Sequence, residues 1–260
     1  MTPDYTHLIE PVTQIVHHTA DSILLARDYQ IHGKGPQDLV TDLDFAMERA
    51  IKAALLEAYP GDAFIGEEEN HDELGSGRTW VCDPIDGTVN FTQGIPYYGI
   101  QLALLVDREP VFCLIHLPVL AETYVAVKGQ GAFLNGVRLQ ADPAVTLSRS
   151  LVTFGDFSKS NPSSRGFQLK AMGELLSKAL RVRIQGASSV DFAFVAAGRN
   201  SCHILFTKNI WELAPGLLLA REAGCVTGEI AGEQHDFQGR GLVIAANAAL
   251  LDEVLGTLVR

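Results

Sequence analysis

Apolar residues recur every three or four positions in the first part of the chain. This spacing over Leu8 to Leu24 predicts a long amphipathic helix. A second helix is predicted over about Leu43 to Ala58, because the chain-breaking pair Pro60-Gly61 follows it. Two short strands, at about residues 63–65 and 79–82, are predicted on either side of a loop rich in Glu, Asp and Gly.

The middle of the chain changes to apolar runs separated by turns. Successive antiparallel strands are predicted there, followed by a hairpin-like segment, at residues 100–106, 111–116, 123–127 and 129–136. After about residue 150 the chain alternates four predicted helices with strands at 181–184, 202–206 and 242–246, which favours α/β layering. We therefore predict a layered α/β protein with two subdomains, residues 1–147 and 148–260.

Composition narrows the class of protein. With 260 residues, 47% of them hydrophobic and 20% charged, the chain is unlike a disordered chain, a collagen or a disulfide-stapled miniprotein. It has no apolar run of the ~18–20 residues that a membrane helix needs, and its start lacks the pattern of a secretory signal. The four cysteines lack CxxC spacing, so we predict reduced, partly buried thiols and a cytoplasmic protein.

The formal net charge of −11 limits the classes of molecule that the protein is expected to bind. Proteins that bind nucleic acid without sequence preference use basic surfaces, and so do proteins that bind anionic membranes. Neither partner is therefore expected. A phosphorylated substrate would also be repelled unless cations lie between it and the protein.

The segment Asp83-Pro84-Ile85-Asp86-Gly87-Thr88 follows a predicted apolar strand and carries the most specific chemistry. Pro84 restricts the backbone, so Asp83 and Asp86 can face one point at the end of the strand. Gly87 and Thr88 could then offer backbone N–H groups to a phosphate at the start of a helix. Two carboxylates beside a phosphate require hard cations, and Mg²⁺ suits such oxygens. The alternative is a surface turn, because Asp-Pro and Asp-Gly are common turn formers.

Three further acidic segments have ordinary explanations when each is taken alone. Gly66-Glu67-Glu68-Glu69 could be a solvated loop, although we expect Glu67 to point inward and Glu68 and Glu69 to remain partly or wholly hydrated. Asp38 to Asp44 leads into a helix that Thr41 or Asp42 could cap. Glu212 of the Trp211-Glu212 pair opens another helix, where the helix dipole favours an acid.

Together and in this order, the four segments resemble the inositol monophosphatase family of lithium-sensitive, Mg²⁺-dependent phosphatases. The family pattern is an Asp, then Gly-Glu-Glu, then Asp-Pro-Ile-Asp-Gly-Thr, then Trp-Asp-x-Ala-x-Gly. Supporting stretches match in register across nearly the whole chain, at residues 38–44, 129–136, 183–198 and 243–247. The resemblance implies a five-layer α/β/α/β/α sandwich with the active site between its two halves.

The resemblance implies a metal ligand at each matching acid. Glu67, Asp83 and the Ile85 carbonyl would bind one Mg²⁺, and Asp83, Asp86 and Glu212 a second. A third, weaker Mg²⁺ could lie near Glu67. Three such ions would change the formal net charge from −11 to −5 and make the site attractive to phosphate.

The resemblance also assigns phosphate and water contacts. The backbone N–H groups of Gly87 and Thr88 would hold the phosphate, while Thr88 and Asp44 would orient the attacking water and help to deprotonate it. Ser188 and Asp191 are candidate contacts to the leaving group, with a helix N-cap as the alternative role of Ser188.

Two departures from the family pattern affect these expectations. Glu212 stands where the family has Asp, so the second metal could sit differently or bind more weakly. Leu205 occupies the position, seven residues before Glu212, where inositol-specific members have an acid that contacts the sugar alcohol. This weakens the case for inositol 1-phosphate as the substrate.

The expected function is Mg²⁺-dependent hydrolysis of a small polyol or sugar phosphate by a metal-activated water, with two or three Mg²⁺ per site and inhibition by Li⁺. Histidinol-phosphate, fructose-1,6-bisphosphate and 3′-phosphoadenosine nucleotide phosphatases are alternatives of the same class. A non-catalytic regulatory scaffold is an alternative of another class, motivated by Glu212 and Leu205. Family members are commonly dimers, so a homodimer is expected by analogy.

Overall fold

Two helices form the first outer layer of the structure, a computed structural model that describes residues 4–25, 28–35, 38–69, 74–158, 161–207, 209–230 and 241–258. They are α1 (Ile9–Ile23) and α2 (Asp42–Ala58). Thr41 caps α2 through a capping box in which the Asp44 side chain accepts a hydrogen bond from the Thr41 backbone. Between them lies an antiparallel hairpin of two strands, β1 (Ile31–Gly35) and β2 (Asp38–Thr41).

A seven-stranded sheet forms the second layer. Its strands lie in chain order, the first pair parallel and the others antiparallel: β3 (Ala63–Gly66), β4 (Arg78–Asp86), β5 (Gly99–Val106), β6 (Glu109–Leu117), β7 (Glu122–Val127), β8 (Gly131–Leu134) and β9 (Val137–Arg138). A short helix, α3 (Thr88–Thr92), follows β4. Side chains alternate across β4, so Trp80 and Cys82 pack toward α1 and α2 whereas Val81 faces the opposite side.

The remaining layers are a pair of helices, a second sheet and another pair of helices. The inner pair is α5 (Ser188–Ala196) and α6 (Ile210–Glu222), and the outer pair is α4 (Pro162–Leu176) and α7 (Ala248–Leu258). The second sheet has the strand order β11-β10-β12-β14-β13, with bounds Leu151–Phe154 for β10, Arg181–Ile184 for β11, Cys202–Leu205 for β12, Val226–Glu229 for β13 and Leu242–Ala245 for β14. Strands β11, β10 and β12 are parallel, and the other pairs are antiparallel.

Three buried clusters join these layers, and they confirm the predicted α/β/α/β/α sandwich. One packs α1 and α2 on the first sheet, a second packs α5 and α6 between the sheets, and a third packs α4 and α7 on the second sheet. The four cysteines are free and buried, as predicted. Within the described ranges, no helix has the length and apolar character needed to cross a bilayer. The two sheets fall on either side of the predicted subdomain boundary, and the subdomains of residues 1–147 and 148–260 stay a prediction.

Candidate active site

A cavity of about 660 Å³ opens where both sheets end. The first sheet supplies residues that follow β3 and β4, and the second sheet supplies the ends of β10 and β12 with the start of α6. Most of the predicted site residues line this cavity: Glu67, Asp83, Ile85, Asp86, Gly87, Thr88, Ser188 and Glu212. The fold therefore brings together acids that are up to 145 positions apart, from Glu67 to Glu212.

A β-bulge positions the two aspartates of the central motif. Asp83 pairs with Gln101 of β5 and Asp86 pairs with Gly99, so three steps along β4 oppose two steps along β5. The side chain of Asp83 is buried, and its Oδ1 has no hydrogen-bond partner in the described part of the chain. Burial, followed by the charges of Glu67 and Asp86, raises the pKa of Asp83 well above its usual range.

The first turn of α5 holds Asp86. The Ser189 backbone N–H donates to Asp86 Oδ2 at 2.6 Å, and the Ser188 hydroxyl donates to Asp86 Oδ1 at 3.2 Å. Ser188 also accepts a hydrogen bond from the Gln101 side chain at 2.7 Å. Burial raises the pKa of Asp86 to about 6, although the bonds from Ser189 and Ser188 act in the opposite direction. Because Ala187 occupies the N-cap of α5, the alternative role of Ser188 as that cap is not observed.

Glu212 enters the cavity from the first turn of α6. Its Oε1 accepts hydrogen bonds from Asn209 Nδ2 at 2.6 Å and from the Thr207 hydroxyl at 3.2 Å. Burial, and next the charge of Asp86, raises the pKa of Glu212 to about 8. The longer Glu side chain is thus held by its own loop while it faces the aspartates of the opposite wall.

The acidic triplet after β3 divides between two environments. Glu67 lines the cavity, and Lys34 Nζ lies 3.1 Å from Glu67 Oε1 and 2.5 Å from Glu68 Oε2. The expectation of a hydrated Glu68 is wrong, because its side chain is only 3% exposed and burial raises its pKa to about 7. Glu69 is exposed and pairs with Arg49, as expected of a solvated residue.

Glu48 supports this triplet and was not identified from the sequence. Its fully buried carboxylate accepts hydrogen bonds from the backbone N–H groups of Glu68 at 2.6 Å and Glu69 at 3.0 Å. A Cβ at Gly66 would lie 2.3 Å from the Glu48 carboxylate, so only glycine allows this approach. The Gly-Glu-Glu motif therefore depends on an acid of α2. The glycine before the acidic triplet was a signal that another group approaches the backbone there, but it did not identify that group as Glu48.

Thr88 and Asp44 are in hydrogen-bond contact with each other. The Thr88 hydroxyl lies 3.1 Å from Asp44 Oδ1 and 3.0 Å from the Ile85 carbonyl oxygen, and it can donate to either. Asp44 Oδ2 accepts hydrogen bonds from the backbone and hydroxyl of Thr41, so capping of α2 and contact with Thr88 occur in the same side chain. Burial raises the pKa of Asp44, against these hydrogen bonds.

Gly87 joins β4 to α3 with a left-handed backbone. Its φ of +89° favours glycine, and a Cβ there would lie 2.9 Å from the Ala187 Cβ and 3.0 Å from the Tyr97 carbonyl oxygen. Asn90 Nδ2 donates to the same Tyr97 carbonyl at 2.6 Å and so fixes the adjoining loop. A side chain at position 87 would push the motif away from the wall formed by α5.

Asp191 does not line the cavity, and the predicted contact with the leaving group has no support in this geometry. Its side chain is buried beneath the wall, where Oδ1 accepts a hydrogen bond from Gln185 Nε2 at 2.6 Å. Its Oδ2 lies 3.7 Å from His203 Nδ1. Burial raises the pKa of Asp191 to about 7 and lowers that of His203 to about 3. Leu205, by contrast, does line the cavity.

Comparison with known proteins agrees with the geometry. The sequence matches the inositol monophosphatase family over residues 7–260. It is 34% identical to the Nus factor SuhB of Pseudomonas aeruginosa, over 88% of this chain and 85% of that protein. It is 32% identical to the inositol monophosphatase of Dictyostelium discoideum, over 90% and 87%.

A solved relative has the same fold. The Thermotoga maritima IMPase superposes with a TM-score of 0.85 at 26% identity, covering 97% of this chain and 96% of that one. The family match spans all of the acidic segments that line the cavity. The chain belongs to the inositol monophosphatase family.

Proposed function

We propose that this protein is a Mg²⁺-dependent phosphatase that hydrolyses small phosphate monoesters at the cavity. One observation carries the proposal: four carboxylates from three separate segments face one cavity that also contains the Gly87-Thr88 turn. These carboxylates belong to Glu67, Asp83, Asp86 and Glu212. A purely structural role for Asp83, Asp86 and Glu212 would be costly, because buried like charges destabilise the fold unless something compensates them. Glu67 is half-buried and pairs with Lys34.

The donor set fits Mg²⁺. The unpartnered Oδ1 of Asp83 and the raised pKa values of Asp83, Asp86 and Glu212 all indicate acids that lack a compensating positive charge. Carboxylate oxygens are the ligands that Mg²⁺ prefers. Among the described residues, no group of three or more His, Cys, Asp or Glu side chains is already arranged to hold a metal ion. The proposal therefore requires small side-chain movements on binding, with two or three ions per site and Glu67, Asp83, Ile85, Asp86 and Glu212 as ligands.

Bound Mg²⁺ would neutralise the phosphate, lower the pKa of a bound water and stabilise the departing alkoxide. The chain itself would position the water. When the Thr88 hydroxyl donates to Asp44 Oδ1, its oxygen can accept a hydrogen bond from the water that attacks phosphorus. As that water attacks, the Thr88 oxygen would take the water proton and pass its own proton to the buried Asp44 carboxylate, whose raised pKa favours accepting it. The backbone of Gly87 and Thr88 would hold the phosphate.

A regulatory function without catalysis is the competing hypothesis. It is motivated by the Nus factor name of a relative that is 34% identical. The geometry favours the enzyme, because Asp83 Oδ1 lacks a hydrogen-bond partner among the described residues and Asp44, besides capping α2, contacts the Thr88 hydroxyl where the pair can position a water. We also propose that the protein acts in the cytoplasm and that it forms a homodimer. Light scattering on the purified protein would test the homodimer.

Phosphate release from glycerol 2-phosphate at millimolar Mg²⁺ tests the proposal. We expect steady turnover that EDTA abolishes and Li⁺ inhibits, and at least a hundredfold lower kcat for Asp86→Asn. The matched control is Asp252→Asn, an exposed acid on α7 outside the cavity. Absence of turnover of this and other small phosphomonoesters would leave the regulatory hypothesis instead.

A further inference from the structure

The far wall of the cavity is built where two parallel strands end side by side. Strands β10 and β12 pair in parallel, and the Gly155 N–H extends the ladder by donating to the Ile204 carbonyl at 2.8 Å. Residues 155–158 and 205–207 therefore lie next to each other and line the cavity. The acids of β4 and the Gly87-Thr88 turn come from the first sheet, so this second-sheet wall is the part of the cavity lining available to the ester group of a phosphate held at that turn.

Three side chains give this wall an apolar and aromatic part: Phe157, Leu205 and Phe206. Leu205 packs on the backbone of Gly155, where a Cβ would lie 2.5 Å from Leu205 Cδ1. The rings of Phe154 and Phe206 stack at 6.3 Å, and the ring of Phe157 meets Phe154 edge-on at 6.0 Å. Phe157 and Phe206 line the cavity, while Phe154 is buried behind them. The buried ring of Phe154 thus fixes two aromatic side chains that line the cavity, Phe157 and Phe206.

The wall has few hydrogen-bonding groups left for a polyol. The Thr207 hydroxyl donates to Glu212 and accepts from the Asn209 backbone at 3.1 Å. The Ser158 hydroxyl accepts from the Asn161 backbone at 3.1 Å. A sugar alcohol presents several hydroxyls that must replace their water contacts, and an apolar wall cannot do this.

One charged group remains on the wall. Asp156 lies between Gly155 and Phe157, is exposed, and makes no hydrogen bond or ion pair with any described residue. The described lining of the cavity contains no Lys, Arg or His. A carboxylate next to aromatic rings attracts a cation, because the ring faces add their own attraction to the charge.

From this wall we infer that the preferred leaving group is a flat, apolar group that carries a cationic nitrogen, rather than a polyol. The flat part lies against Phe157, Phe206 and Leu205, and the nitrogen lies against Asp156. The inference rests on the proposed function, since it names the substrate class of that same site.

Four phosphomonoesters separate the two features of the leaving group. Glycerol 2-phosphate has neither feature, O-phosphoethanolamine has the cation, 2-phenylethyl phosphate has the ring, and histidinol phosphate has both. We expect kcat/KM for histidinol phosphate to exceed that for glycerol 2-phosphate at least tenfold, with the other two between them. Equal or higher kcat/KM for glycerol 2-phosphate would overturn the inference and leave the proposed function intact. If none of the esters is hydrolysed, the proposed function fails, and the inference with it.

Variants of the wall test the assignment of each residue. Asp156→Asn should lower the preference for histidinol phosphate over 2-phenylethyl phosphate three- to tenfold, because it removes the charge that the nitrogen meets. Phe157→Leu should instead lower the preference for histidinol phosphate over O-phosphoethanolamine. Asp252→Asn is the control and should change neither ratio. Ratios in the Asp156 and Phe157 variants equal to those of this control would overturn the assignment.

Discussion

At the scale of single residues, the site combines acids that contact the cavity with an acid that supports them from behind. Glu48 makes no contact with the cavity, yet it fixes the backbone of Glu68 and Glu69 and thereby the neighbouring Glu67. A residue that holds the backbone next to a metal ligand decides how well that ligand is aligned with the metal. The alignment of Glu67 is therefore expected to depend on α2 as much as on β3.

Glu48→Gln tests this dependence. The amide keeps one acceptor oxygen but turns an NH₂ group toward a backbone N–H, so one of the two hydrogen bonds is lost. We expect the Mg²⁺ concentration at half-maximal activity to rise about tenfold, with a loss of about 1–2 kcal/mol in the free energy of unfolding. Glu57→Gln, an exposed change on the same helix, is the control. A Mg²⁺ titration that is the same for both variants would contradict the role of Glu48.

Glu212→Asp tests the departure from the family pattern. Glu212 reaches about 1.5 Å farther than Asp, and its Oε1 is shared with Asn209 and Thr207. The shorter side chain releases these partners and gives the acid that the family uses. We expect the Mg²⁺ concentration at half-maximal activity to fall a few-fold. An unchanged titration would show that the substitution is neutral.

The motif residues could be predicted from the sequence, but their partners could not. Asp83, Asp86 and Thr88 lie in one short segment whose spacing and proline already indicate a shared direction. Glu48 is a single acid in a helix, with no local pattern to mark it. Asp191 follows Ser188 by one helical turn, but only the packing of α5 decides that Asp191 is buried away from the cavity.

At the scale of elements, the longest strands predicted from the sequence are those with long buried runs, although the four-residue strands β3, β11, β12 and β14 were also predicted. Strands β5 to β7 are apolar and buried over most of their length. The β1–β2 hairpin was missed because Ile31–Gly35 is exposed and contains two glycines. Strands β10 and β13, of four residues each, were not predicted, and of helix α3 only a start near Gly87 and Thr88 was expected.

The crossing of α5 and α6 holds Ser188 and Glu212 on facing elements and depends on Gly216. A Cβ at Gly216 would lie 2.1 Å from the ring of Phe192, which is fully buried. Gly216→Ala should therefore lower the free energy of unfolding by about 1–3 kcal/mol through overpacking. Gly173→Ala on α4, where nothing lies within 4 Å, should raise it by about 0.5–1 kcal/mol. Denaturant unfolding of both variants measures the difference, and equal values would contradict this close contact.

At the scale of the whole molecule, the acidity of the chain is concentrated where the layers meet. The first sheet supplies Asp83 and Asp86, α6 supplies Glu212, and all three face one cavity. Two Mg²⁺ would add +4 and change the formal net charge from −11 to −7. Stability and function then oppose each other in the metal-free protein, because the acids that hold the ions repel one another without them.

This opposition predicts a pH dependence of stability that Mg²⁺ removes. Burial raises the pKa of Glu212 to about 8 and that of Asp83 well above its usual range, so the folded protein binds more protons than the unfolded chain at neutral pH. Its free energy of unfolding must therefore fall as the pH rises through the raised pKa values. His116 and His203, whose pKa values burial lowers to about 4 and about 3, act in the opposite direction only below their ordinary value of 6.5.

Unfolding between pH 6.5 and pH 8.5 therefore avoids these histidines and reports mainly on the acids, while the four buried cysteines, whose pKa values burial also raises, add to the same trend near pH 8.5. In EDTA we expect a loss of about 1–2 kcal/mol from Glu212 alone over this range. Asp191 and Glu68, whose pKa values are both raised to about 7, add to the loss in the same direction.

Millimolar Mg²⁺ should restore more stability at pH 8.5 than at pH 6.5, since it binds the ionised form of the cavity acids. Glu212→Gln should remove the contribution of Glu212 to the pH dependence of the free energy of unfolding, and it should reduce the stabilisation by Mg²⁺. A metal-free stability that is constant or rises over this range would show that the cavity acids are compensated within the protein, without a metal ion.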